Sequence, residues 1–75
     1  VKAAEYAPAT PLDTRPPGTY VHPGQRHAAV LDALDGVTLG AYDRRIVDWL
    51  SGCDDDTCRA VVSLLLRTRA AGGAS

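Results

Sequence analysis

A chain of 75 residues and 7.9 kDa holds one small domain at most, which excludes a two-domain enzyme. Its 45% hydrophobic and 23% charged content is that of an ordinary globular domain. Eight basic residues against nine acidic ones leave a formal charge of -1, so no net field draws the chain onto phosphate backbones or anionic lipid.

All five prolines, at positions 8, 11, 16, 17 and 23, lie in the first 23 residues. Each lacks a backbone donor and turns the residue before it away from helix, so residues 1–23 are expected to form an extended, Pro-rich arm without a core of its own. Tyr6, Leu12, Tyr20 and Val21 are its only sizeable anchors. Pro8 and Pro11 have the P-x-x-P spacing of recognition ligands, but that spacing arises readily in any Pro-rich tail, and a draped linker is the preferred reading.

From Gln25 the apolar residues take up a helical period. His27, Val30, Leu31 and Leu34 recur at three- and four-residue steps, and Gly36 follows as a stop, which predicts a helix over about 24–35. Thr38 is placed to cap a second helix over about 39–51, ended by Gly52. On it Tyr42, Ile46, Trp49 and Leu50 share one face, with Asp43, Arg44 and Asp48 on the other, so Tyr42 and Trp49 are expected in the core. The run Asp54, Asp55, Asp56, Thr57 opens a third helix over about 55–70, where carboxylates meet the positive end of the helix dipole and Arg67 and Arg69 sit near the negative end. The fold class that follows is all-α: a three-helix domain over 24–71 behind the arm, with 72–75 as a flexible tail.

The third predicted helix carries apolar residues over an arc of about 200°, from Cys58, Val61, Val62, Leu64, Leu65 and Leu66. Only a narrow polar stripe of Arg59, Ser63 and Arg67 remains. A surface helix buries one stripe, so this one is expected to be covered on a second side by the arm, a second copy or another protein. Val61, Leu64, Leu65 and Leu66 are the candidate interface, and a homodimer is one way to cover them.

No residue pattern carries chemistry. Cys53 and Cys58 with His22 and His27 make a Cys2His2 set on paper, yet four residues between the cysteines is the wide end of the spacing usual for zinc and a poor fit to a tight knuckle, and small buried hydrophobes are the better reading of the thiols. The triple Asp lacks the ligand alternation, central Gly and terminal Glu of a calcium loop, so it is read as a cap. Ser51 and Ser63 have no nucleophile elbow around them, and no Gly-rich phosphate loop exists. The chain is therefore expected to be no enzyme and to have neither metal, cofactor nor small-molecule substrate.

A helix-turn-helix over Arg44 to Val61 is the competing reading, with Arg44, Arg45, Arg59, Arg67 and Arg69 as candidate nucleic-acid contacts. Asp48 stands where the helices would cross, and Asp54, Asp55 and Asp56 would face phosphates and repel them.

The stretch Leu31 to Gly72, above all LGAYDRRIVDWLSG from Leu39 and TCRAVVSLLLRTRAAG from Thr57, resembles small helical proteins encoded by high-GC Gram-positive bacteria and their phages or mobile elements. That group has no assigned activity, so the resemblance implies a gene neighbourhood and carries no site. No run of apolar residues reaches the length of a membrane span, and no signal-peptide pattern is present, which gives a cytoplasmic expectation and no membrane partner. The leading expectation is a non-catalytic interaction or regulatory module that oligomerises or docks through its third predicted helix. A DNA-binding regulator is the alternative.

Overall fold

The computed structural model describes residues 2–16 and 18–73. Four α-helices follow one another: α1 Ala3–Tyr6, α2 Pro23–Ala33, α3 Ala41–Ser51 and α4 Asp55–Gly73. The all-α class holds, and the count of three is corrected to four because one turn of helix forms inside the arm. α4 runs through Gly72 and Gly73, where a flexible tail is expected. Ala74 and Ser75, the rest of that expected tail, lie outside the described residues.

α2, α3 and α4 are bounded by local signals, and α1 is not. Four residues are far too few to hold a helix alone, and α1 is kept by its surroundings: the Ala3 backbone N–H donates to Asp32 Oδ2 at 2.8 Å. Pro23 stands in the first turn of α2, where its missing N–H costs nothing. Past the end of α2, Gly36 takes a left-handed φ of +88°, which turns the chain toward α3. Gly40 rather than Thr38 stands before α3, and the Asp43 carboxylate accepts the Gly40 N–H at 2.9 Å. Asp54 caps α4 by accepting the Thr57 N–H at 3.1 Å and the Thr57 hydroxyl at 2.7 Å. These bonds hold its carboxyl below the usual carboxylate range.

α1, α2 and α4 pack on one another, whereas α3 leans against α2. The core is built of small pieces: Ala3, Tyr6 and Ala7 from the arm, Ala29, Val30 and Ala33 from α2, Val47 from α3, and Cys58 and Val62 from α4. Leu31, Leu34, Leu50, Leu65 and Leu66 close over it from the edges. The arm is thus part of the core and not a bare extension. The molecule measures 31 × 30 × 18 Å, so along its short axis it is about two helices thick.

The arm rotates α4 from its expected orientation: Cys58 and Val62 face inward as expected, but the arc shifts toward the polar stripe. Arg59 and Ser63, assigned by periodicity to a solvated stripe, are buried at 3% and 0% exposure, while Leu64 is 53% exposed. The inward arc of α4 is centred between Cys58 and Arg59, because the arm lies over Arg59 and supplies acceptors for it. Ser63 has no such compensation: its Oγ is buried without a hydrogen-bond partner among the described residues. Ser63→Ala removes that unpaired hydroxyl and improves helix propensity, so we expect it to stabilise the fold by about 0.5–1 kcal/mol in urea denaturation.

Candidate functional site

Two constellations stand out, one buried and one exposed. The buried one joins arm to domain. The Asp55 carboxylate, in the first turn of α4, lies 3.3 Å from Arg59 Nη1 and 3.9 Å from Arg26 Nη1. Tyr6 Oη donates to Asp55 Oδ1 at 2.7 Å, and its ring lies beneath the Arg59 guanidinium, 4.6 Å from centroid to Cζ. Two buried guanidiniums against one carboxylate leave an excess cation, and backbone carbonyls take up the remaining donors. Arg59 Nε donates to Tyr6 O at 2.8 Å and Nη2 to Thr19 O at 3.0 Å. Arg26 Nε donates to Ser51 O, at the end of α3, at 2.9 Å and Nη1 to Val21 O at 2.6 Å. These are carbonyls of the arm and of the last residue of α3, which no helix hydrogen bond takes up. Gly18, at φ +147°, passes so close that a Cβ there would come within 2.5 Å of Arg59 Cζ, so only glycine fits. The two guanidiniums, the phenol and the carboxylate are bonded to one another and to backbone carbonyls of the chain, and the cluster acts as a clasp.

The exposed constellation is the outer face of α3. Tyr42 is 71% exposed, Ile46 45% and Trp49 66%. Spaced i, i+4, i+7, they form one continuous apolar ridge two turns long. Tyr42 and Trp49, expected in the core, are therefore corrected to the surface. The cause is the arm. Tyr6 and the small residues Ala3 and Ala7 fill the space between α2 and α4, and α3 meets α2 through Val47 and Ser51, on the side of the helix away from the ridge. Arg45 lies three residues after Tyr42 and four before Trp49, on the same face. Neither Arg44 nor Arg45 has an ion pair among the described residues, whereas Arg15 faces Asp56 at 2.9 Å and Arg69 faces Asp35 at 3.6 Å.

The residues expected to form the interface divide. Val61 is half-buried, Leu65 and Leu66 pack against the core, and Leu64 stands out to solvent. The five arginines expected to contact nucleic acid do not form one set. Arg44 and Arg45 are exposed on α3. Arg59 is enclosed in the clasp, which corrects its assignment to a phosphate-binding face. Arg67 bonds back to Ser63 O at 3.4 Å, and Arg69 reaches Asp35 and the Asp32 carbonyl near the end of α2.

Cys53 and Cys58 are free thiols. Burial pushes the Cys58 thiol up from its ordinary value, which keeps it protonated and a poor nucleophile. Among the described residues no three of His, Cys, Asp and Glu are grouped to hold a metal ion. His27 Nε2 meets Asp48 Oδ1 at 2.8 Å and ties α2 to α3 beside a cleft of about 200 Å³ lined by both, with Leu31, Arg44 and Val47. A second hollow of about 240 Å³ is lined by Tyr20, Val21, His22 and Gln25. Both are smaller than the roughly 300–1,000 Å³ of sites that enclose small molecules. No helix among the described residues is long and apolar enough to cross a membrane.

Comparison with protein-family models, curated proteins and solved structures finds no match for this chain.

Proposed function

We propose that this protein is a non-catalytic interaction module that docks through the outer face of α3. The observation that carries the reading is the ridge of Tyr42, Ile46 and Trp49, three large apolar side chains left in water on a chain that otherwise struggles to fill a core. Exposing two of the largest apolar residues available while burying two arginines is a poor use of side chains for stability alone. A partner that covers the ridge resolves that mismatch. The small clefts and the self-satisfied clasp support a reading without catalysis.

The DNA-binding alternative has less support, because Arg59 is turned inward and the remaining four arginines are divided between α3 and the far end of α4. The ridge also displaces α4 as the preferred docking helix, since Leu64 is the one large apolar side chain that α4 leaves mostly exposed.

Site-specific photo-crosslinking in the producing cell tests the proposal. A photoreactive residue at Ile46 is expected to give a discrete adduct, and one at Thr68, on the exposed side of α4, none. Adducts from Leu64 but not from Ile46 would return the interface to α4. Absence of adducts from both would remove the docking reading.

A further inference from the structure

The chemistry at the edge of the ridge narrows what covers it, provided that α3 is the docking face proposed above. We infer that the ridge takes an amphipathic helix of another protein whose apolar stripe is flanked by carboxylates. Three observations converge on this partner. The backbone donors and acceptors within α3 are used inside the helix, and no strand edge exists among the described residues, so no extended peptide finds a template and recognition falls to side chains. Anchors at i, i+4 and i+7 over two turns present the ridge that a second helix packs against. The charge beside that ridge is Arg45, which meets no carboxylate among the described residues, whereas Arg44 lies on the opposite side of α3, at the cleft with α2. The acidic residues of α3 are already engaged: Asp43 accepts from the Gly40 N–H and Asp48 meets His27.

A second copy of the chain fits less well. In an antiparallel pair that sets Tyr42 over Trp49 of the other copy, the two-fold axis passes between residues 45 and 46. That symmetry brings the two Arg45 guanidiniums to the same flank, opposite each other, where like charges repel. A register shifted far enough to separate them uncovers the aromatic rings. An anionic membrane is disfavoured because Arg45 alone flanks the ridge, where a helix lying on a membrane surface carries a row of Lys or Arg.

The chain contains one tryptophan, and it lies on the ridge, so the intact protein carries its own reporter. Two synthetic helical peptides with identical apolar spacing, one flanked by Glu and one by Lys, are titrated against it while Trp49 emission is followed. The Glu-flanked peptide is expected to shift the emission to the blue and to bind at least tenfold more tightly than the Lys-flanked one. That preference should shrink with added salt and reverse in Arg45→Glu, whose fold is checked by circular dichroism. Equal binding of the two peptides would overturn the acidic partner and leave the docking face standing. A blue shift with anionic phospholipid vesicles but with neither peptide would assign the ridge to a membrane. A doubled mass in light scattering that returns to 7.9 kDa in Ile46→Lys would assign it to a second copy. No response to any of these, with no adduct from Ile46, would remove both the partner and the docking face.

Discussion

Asp55→Ala is expected to cost about 3–5 kcal/mol and to leave much of the chain unfolded. A domain of this length has roughly 4–11 kcal/mol of stability in all, so the loss is a large part of the total. Asp55 is the one carboxylate between Arg26 and Arg59, whose side chains are 5% and 4% exposed. Without it two cations stay shut off from water with carbonyl oxygens and tyrosine rings but no counter-charge around them, and Tyr6 loses its side-chain acceptor. Asp55→Asn retains an acceptor for the phenol and loses the charge, so an intermediate loss is expected. Urea denaturation followed by far-ultraviolet circular dichroism measures both. Trp49 emission does not serve here, because the indole is already mostly in water in the folded state. Stability within 1 kcal/mol of the parent, a threshold set by the usual cost of a neutral surface change, would mean that the clasp is open in solution.

Tyr6→Ala is expected to cost a further class of interaction, about 3–5 kcal/mol, the usual range for deleting a buried aromatic side chain. Tyr6 is the largest side chain of the core. Its ring supports the Arg59 guanidinium, and its hydroxyl donates to the Asp55 carboxylate and, at 3.2 Å, to the Asp55 carbonyl. Tyr6→Phe keeps the ring and should cost about 1–2 kcal/mol. The pair separates packing from hydrogen bonding. Burial first, and then the bond to Asp55, raises the Tyr6 phenol well above its ordinary value. A raised value means that the folded state holds the proton more tightly than the unfolded state. The contribution is therefore complete below the unfolded phenol value of about 10 and is lost as the pH rises beyond it. Stability should fall above that pH in the parent and fall less steeply in Tyr6→Phe, by the same denaturation experiment.

How much of this was legible beforehand differs between elements. The helices that became α2, α3 and α4 were readable because their apolar spacing agrees with the stops at Gly36 and Gly52 and with the Asp cap of α4, although Thr38 does not cap α3, and the all-α class follows from them. α1 was not, since Ala3 to Tyr6 has no periodic signal and exists only because Asp32, Arg59 and the core hold it. The grouping of Tyr42, Ile46 and Trp49 on one face was readable, but its direction was not. Periodicity reports which residues share a face, and burial depends on what else competes for the core. Here the competitor was a Pro-rich segment of whose two tyrosines only Tyr6 is buried. Arg59 failed in the opposite sense. Its i, i+4 relation to Asp55 was visible as an ion pair, whereas its burial required knowing that Tyr6 and Thr19 would lie over it.

The clasp also sets an order of events at the ribosome. Tyr6 is separated from Arg59 by 53 residues and from Asp55 by 49. At ordinary elongation speeds of about 5–20 residues per second, roughly 3–10 s pass between synthesis of the two halves. For most of that interval the nascent arm has only the α2 part of its seat, through the Ala3 bond to Asp32. The prolines from Pro8 on, which keep α1 from continuing, then have a second use: they hold that stretch open and uncommitted until α4 emerges to receive it.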